Sequence, residues 1–211
     1  MKKTLLGLIL ITLNLFGGAF ENGIYAYNQK HYKEAIKWYK KAIKQGNIRA
    51  QTNLGYMYQY GKGVKRNYKE AFKWYKKSAI QGIAKSQFNL ALMYYYGKGV
   101  KRNYNKAIKW YKVAAKQGHI EAQNNLGLMY VHGIGVKRNY KKATMWFKEA
   151  SNRGFSEAQY NLGFAYYKGY GVPKNKIKAF KYWLKAAKQG HDLAQYNLNI
   201  LCRESPWACK R

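Results

Sequence analysis

The side chains that could perform catalysis are few and widely spaced. A serine hydrolase of the Ser-x-x-Lys type needs a lysine one helical turn after its nucleophile, and none of the serines has one: Ser78, Ser86, Ser151, Ser156, Ser205. A zinc hydrolase needs clustered ligands, whereas the histidines stand apart: His31, His119, His132, His191. The eight acidic residues form no visible carboxylate pair. The sequence therefore predicts no catalytic residue, no metal site and no cofactor.

A glycine-rich loop recurs and resembles a phosphate-binding loop at first sight. It reads Gly-x-Gly-Val-Lys-Arg-Asn at 61–67, 97–103 and 133–139. It lacks the Gly-Lys-Ser/Thr ending of a P-loop and follows no predicted strand, so we interpret its glycines as setting a turn between helices. An alternative is that the Lys-Arg pairs contact an anionic polymer, with strong salt dependence: Lys65-Arg66, Lys101-Arg102, Lys137-Arg138.

These loops belong to a unit that repeats every 36 residues, with 60–75 returning at 96–111, 132–147 and, more loosely, 168–183. A fixed period of this size indicates a stacked repeat array. Each unit predicts a first helix, then a second with Ala, Trp and another aromatic residue on one face and lysines opposite. In the second unit, Ala71, Trp74 and Tyr75 form this buried stripe. A helix stop is predicted at each of five glycines: Gly46, Gly82, Gly118, Gly154, Gly190.

The charge is strongly unbalanced, with 40 Lys plus Arg against 8 Asp plus Glu and a net charge of +32. Such a field attracts polyanions and anionic surfaces. Of these cations 33 are Lys, whereas bidentate recognition of phosphates and bases favours Arg, so nucleic acid is not predicted as the partner. The alternative interpretation is that the lysines form solvated helix faces.

The N-terminus is typical of an export signal, and we predict a signal peptide over residues 1–19. Lys2 and Lys3 precede an apolar run at 5–16 and small residues at 17–19. The run is shorter than the ~20 residues of a membrane span, although an uncleaved anchor is the alternative. We therefore expect a periplasmic or secreted protein with no transmembrane span after signal removal. Cys202 and Cys209 are the only cysteines, which in an exported chain predicts a disulfide that caps the C-terminus.

The repeated pattern resembles the Sel-like repeat, a relative of the tetratricopeptide repeat. The matching residues are Ala122 to Tyr130, Gly133-Ile134-Gly135-Val136 and Lys142 through Gly154. The resemblance implies an all-α solenoid, a right-handed superhelix of antiparallel helix pairs whose first helices line the concave side. It also implies adaptor or assembly roles and, for exported bacterial members, contact with cell-wall machinery or host proteins.

The predicted organisation follows from this resemblance. A tetratricopeptide-like first helix pair is expected at 20–46, four repeats at 47–82, 83–118, 119–154 and 155–190, and a capping helix with the disulfide tail at 191–211. We expect a non-enzymatic scaffold that binds a protein or peptide in an aromatic concave groove. Carrying the tetratricopeptide geometry over gives these groove positions: Tyr56, Gln59, Phe88, Leu92, Tyr95, Asn124, Leu128, Tyr160, Phe164, Tyr167. The alternative for each is packing between adjacent units.

Two other functions stay open at this point. One branch of secreted, cysteine-rich relatives is often labelled beta-lactamase and carries two Cys per repeat, so a beta-lactamase-type hydrolase is one alternative. This chain departs from that branch because it has a single pair of cysteines. The other alternative is a binder of anionic envelope polymers through the lysine-rich helix backs.

Overall fold

A computed structural model describes residues 18–209, and over this range the chain forms helices and no strand. The helices are α1 Ala19–Asn28, α2 Tyr32–Lys44, α3 Ile48–Tyr60, α4 Tyr68–Ile80, α5 Ala84–Tyr96, α6 Tyr104–Lys116, α7 Ile120–His132, α8 Tyr140–Asn152, α9 Ser156–Lys168, α10 Lys176–Ala187, α11 Asp192–Glu204 and α12 Pro206–Cys209. The predicted all-helical fold is confirmed. The predicted signal peptide lies outside the described residues except for Gly18 and Ala19.

The helices form two compact units, one up to Arg102 and one from Asn103 onward. In the first unit, α1 packs on α2 and α3 on α4, and the pairs stack because α2 also contacts α3 and α4 contacts α5. In the second unit, α7 packs on α8 and α9 on α10, with α6 on α7, α8 on α9 and α10 on α11. Within each unit, every helix pair therefore covers a face that its neighbour exposes.

Asparagines and glycines define where the helices begin and end. The side-chain oxygens of Asn67, Asn103, Asn139 and Asn175 each accept a hydrogen bond from the backbone N–H three residues on, at 2.8–3.0 Å. The second helices end before the five predicted glycines, whose φ values lie between +83° and +95°. The first helices α3, α5, α7 and α9 end at left-handed glycines in the recurring loop.

In four helix pairs an aromatic ring of the second helix lies on a glycine of the first helix: Gly23, Gly55, Gly127 and Gly163. A Cβ on Gly55 would come within 2.9 Å of the Tyr75 ring, and one on Gly127 within 2.5 Å of the Phe147 ring. The predicted buried stripe needs one correction, because Trp74 is only half-buried whereas Tyr75 is fully buried. The tryptophan lies at the edge of the stripe, and the ammonium group of Lys77 lies 4.8 Å from its ring centroid.

The second glycine of each loop contacts the preceding repeat. A Cβ on Gly63 would lie 2.6 Å from the backbone carbonyl carbon of Tyr32, at the start of α2. A Cβ on Gly171 would likewise collide with the backbone of Tyr140, at the start of α8. These glycines therefore set the turn, as predicted, and also allow the close approach of neighbouring repeats.

A glutamine on each of two first helices ties it to the second helix before it. Gln87 Nε2 donates to the backbone oxygen of Ala79 in the first unit, at 3.1 Å. Gln123 Nε2 donates to the backbone oxygen of Ala115 in the second unit, also at 3.1 Å. Both side chains are buried, so these bonds satisfy helix-terminal carbonyls that water cannot reach.

Candidate binding faces on the first helices

In the first unit, the first helices α1, α3 and α5 surround an open cavity of 320 Å³. It is lined by Ile24, Tyr27, Tyr39, Thr52, Asn53, Tyr56, Lys85 and Asn89. Of the predicted groove residues in this unit, Tyr56 therefore lies at a cavity. The lining combines aromatic faces with side-chain amides and one ammonium group, so it offers both apolar surface and hydrogen-bonding groups.

The tyrosines that line this cavity are held by burial and by hydrogen bonds. Burial is the largest cause that raises the pKa of Tyr27 to about 12, followed by a hydrogen bond with Tyr56 and the neighbouring phenols. Burial also raises the pKa of Tyr39, which an Asn53 hydrogen bond opposes. The Tyr27 and Tyr56 rings meet edge to face at 6.2 Å. The raised pKa values keep the hydroxyls of Tyr27 and Tyr39 neutral at neutral pH, where they hydrogen-bond with Tyr56 and Asn53.

In the second unit, α7, α8 and α9 surround a smaller open cavity of 170 Å³. Three predicted groove residues, Leu128, Tyr160 and Phe164, line it together with Asn161 and Tyr170. Phe164 is 36% exposed, and its ring meets that of Tyr170 edge to face at 6.2 Å. The cavity therefore presents mainly aromatic and aliphatic surface.

The other predicted groove residues lie on the first helices but line neither cavity. Gln59, Phe88, Leu92 and Tyr95 are half-buried in the first unit. In the second unit, Asn124 is buried and its Oδ1 accepts a hydrogen bond from Asn161 Nδ2 at 2.9 Å. Tyr167 donates to Glu204 Oε2 at 3.2 Å, and burial, followed by this bond, raises its pKa.

Sequence reasoning missed an asparagine that recurs on the first helices every 36 residues: Asn53, Asn89, Asn125, Asn161, Asn197. Asn53 and Asn89 line the first cavity, and Asn161 lines the second. Each amide offers two N–H donors and one acceptor oxygen, the complement of a peptide group. The same 36-residue spacing that revealed the repeats would have identified this series.

No catalytic constellation emerges from the described residues. Across residues 18–209, no group of three His, Cys, Asp or Glu side chains is arranged to hold a metal ion. Lys176 Nζ donates to Ser205 Oγ at 2.5 Å, but Ser205 is only 2% exposed, so a substrate carbonyl cannot reach this hydroxyl. The pair instead joins the start of α10 to the C-terminal tail.

The predicted disulfide is present and closes that tail. Cys202 and Cys209 are bonded, with their Cα atoms 5.6 Å apart. The bond holds α12 beside the end of α11, and the tail also contacts α10. Within the described part of the chain, no helix has the length and apolar character needed to cross a bilayer.

Stacked helix pairs joined by a recurring glycine loop define the chain as a helical-repeat protein. A family profile described as Sel1 repeat matches residues 17–47, 48–83, 84–119, 120–155 and 156–191. The chain belongs to the Sel1 repeat family, as its resemblance predicted. The matched ranges include the segment that was predicted as a tetratricopeptide-like first pair.

Solved structures of the family are similar over most of this chain. The protective antigen c5321 of uropathogenic Escherichia coli is 35% identical with a TM-score of 0.85, covering 88% of this chain and 41% of that chain. The Sel1 repeat protein from Oxalobacter formigenes is 38% identical with a TM-score of 0.82, covering 86% and 72%. Helicobacter pylori cysteine rich protein B is 25% identical with a TM-score of 0.51, covering 64% and 97%. This chain thus spans less than half the length of the Escherichia coli antigen. Comparison with curated proteins gives no significant match.

Proposed function

We propose that the protein is an exported, non-enzymatic scaffold that holds an extended segment of a partner protein against its first helices. Sel1 repeats mediate protein–protein interaction in general. The observation that carries the finer proposal is the recurring asparagine, which lines the cavity of each unit beside aromatic side chains. An extended partner segment presents backbone N–H and C=O groups that such amides can bind, while the cavities take its side chains.

Export is part of this proposal. The Cys202–Cys209 disulfide fits an oxidising compartment, and the N-terminal residues are typical of a signal peptide. Tyrosines and asparagines on the first helices favour protein recognition, because Tyr contributes a large contact area with few rotatable bonds and Asn contributes adaptable hydrogen bonds.

The test is selection of short random peptides on the purified full chain, followed by fluorescence anisotropy on the enriched sequences. The variants Asn53→Ala/Asn89→Ala and Phe164→Ala should each weaken binding about tenfold, because each removes hydrogen bonds or buried area worth about 1–2 kcal/mol. Helicity by circular dichroism should not change.

Asn105→Ala is the matched control, since Asn105 is exposed on the second helix α6. It should bind like the unaltered chain. Enrichment of no sequence, or equal losses in the control and the groove variants, would contradict the proposal.

A further inference from the structure

In the second unit, the second helices carry cations in their first turns, next to the recurring loop, where helices ordinarily carry acidic residues. The first turns of α2 and α4 in the first unit contain Glu34 and Glu70, whereas those of α6, α8 and α10 contain no acidic residue. Lys141 and Lys142 occupy the first turn of α8, and Lys178 that of α10. A cation there is unfavourable because the backbone N–H groups already give this end a positive potential. This arrangement opposes helix stability and, among the second helices, occurs in α6, α8 and α10 but not in α2 and α4.

Aromatic rings hold several of these cations in place. The Arg138 guanidinium lies 5.5 Å from the Tyr140 ring centroid, and the Lys142 ammonium lies 5.8 Å from that of Tyr130. The Lys178 ammonium lies 5.3 Å from the ring of Tyr166 one repeat later. Cation–π contacts restrict these flexible side chains, so less entropy is lost when an anion binds.

The loop of the next repeat continues this row of cations to the C-terminal tail. Gly171 lies against the start of α8, and the loop that contains it leads to Lys174 and then to α10. There Lys174, Asn175, Lys176, Ile177 and Trp207 line an open cleft of 380 Å³. The Trp207 side chain is 59% exposed. One large exposed aromatic ring thus lies beside ammonium groups.

We propose that this surface binds an acidic polysaccharide. We define it as the basic edge: Lys137, Arg138, Lys141, Lys142, Lys174, Lys178 and Trp207. Its cations would pair with carboxylates along the polymer, and the exposed indole would stack on one sugar ring. This site lies on the loops and second helices, and it does not depend on the peptide-binding proposal.

Three observations favour a polysaccharide over single-stranded nucleic acid. Nucleic acid grooves stack successive bases on a series of exposed rings, but Tyr140 already contacts Arg138 and stacks on Tyr170 at 4.5 Å. Five of the six cations on the edge are lysines rather than the arginines that recognise phosphates in pairs. The disulfide fits a compartment outside the cytosol, where acidic polysaccharides are common polyanions.

The experiment measures binding of the full chain to sodium alginate, a polyuronate, by biolayer interferometry at low and at physiological salt. The edge variant is Lys137→Gln/Lys141→Gln/Lys174→Gln. The matched control is Lys109→Gln/Lys148→Gln/Lys181→Gln, which removes the same charge from exposed positions of α6, α8 and α10. We expect the edge variant to bind about tenfold more weakly with a shallower salt dependence, and the control to change less than about threefold. Equal losses in both variants would overturn the proposal, because the net field alone would then explain binding.

A second arm tests the indole. Trp207→Ala should weaken alginate binding about fivefold and leave binding to inorganic polyphosphate unchanged, because only the sugar offers a ring to stack on. Trp207→Phe should restore most of the loss, which separates stacking from damage to the tail. Tighter binding of oligothymidylate, or of vesicles of phosphatidylcholine and phosphatidylglycerol, than of alginate at the same salt would refute the polysaccharide assignment.

Discussion

Alanine substitutions at two glycines of one loop separate two contributions to stability. One is the backbone strain of the turn, and the other is a collision with the preceding repeat. Gly61 and Gly63 both adopt left-handed backbone, with φ values of +68° and +71°. A Cβ on Gly61 would meet no atom closer than 3.4 Å, whereas one on Gly63 would lie 2.6 Å from the Tyr32 carbonyl carbon. Alanine at either position therefore meets the same backbone strain, and only Gly63→Ala also collides with the preceding repeat.

The expected magnitudes follow from these distances. Left-handed backbone costs an L-residue about 1–2 kcal/mol, and this is the whole expected destabilisation for Gly61→Ala. For Gly63→Ala, overlap with backbone that cannot rotate away adds about 1–3 kcal/mol. Gly63→Ala should thus be less stable than Gly61→Ala by at least about 1 kcal/mol.

Urea unfolding followed by far-UV circular dichroism measures both values, and limited proteolysis reports whether the pair α1–α2 is released. In a repeat array, loss of one interface need not unfold the whole chain, so a separate early transition in Gly63→Ala also agrees with the reasoning. Equal stability of the two variants, with no early transition and no new cleavage, would refute the assignment of Gly63 to an inter-repeat contact.

Three further changes test the packing, the buried phenol and the tail. Gly127→Ala should lower the free energy of unfolding by about 1–2 kcal/mol, after the gain in helix propensity is subtracted. In a double-mutant cycle measured by urea unfolding, most of this destabilisation should disappear when Phe147→Leu is also present. The same destabilisation in both backgrounds would exclude the Phe147 ring as its cause. Tyr75→Phe should raise stability at neutral pH by about 1 kcal/mol, since it removes a buried hydroxyl without a hydrogen-bond partner. Burial, and then Tyr60 and Tyr56, raise the pKa of Tyr75, so the folded state keeps this proton to higher pH than the unfolded state and stability falls as pH rises above about 10. Unfolding followed across alkaline pH should therefore show a shallower fall in Tyr75→Phe, and equal falls would contradict this. Reduction of the Cys202–Cys209 bond, which joins residues seven apart, should cost about 2–3 kcal/mol and increase hydrogen exchange around Leu201; unchanged protection would exclude a capping role.

Much of the architecture could be predicted because its determinants are local in the sequence. The 36-residue step locates the helix pairs from α3 onward, and the glycines at the ends of the second helices adopt the positive φ that their spacing predicts. With only two cysteines, Cys202 and Cys209 had a single intramolecular pairing. The groove residues were placed on the first helices by family geometry, and their role in binding stays a prediction.

The sequence by itself therefore determined that a helix pair recurs every 36 residues, where the second helices end and which pair of cysteines joins. Only the tertiary structure decided that Tyr75 is fully buried while the adjacent Trp74 is not, and that Gly63 contacts the repeat before it. It also decided which asparagines reach a cavity. The physical reason is that helical periodicity selects a face within one helix, whereas burial and contact depend on how neighbouring helices are placed in space.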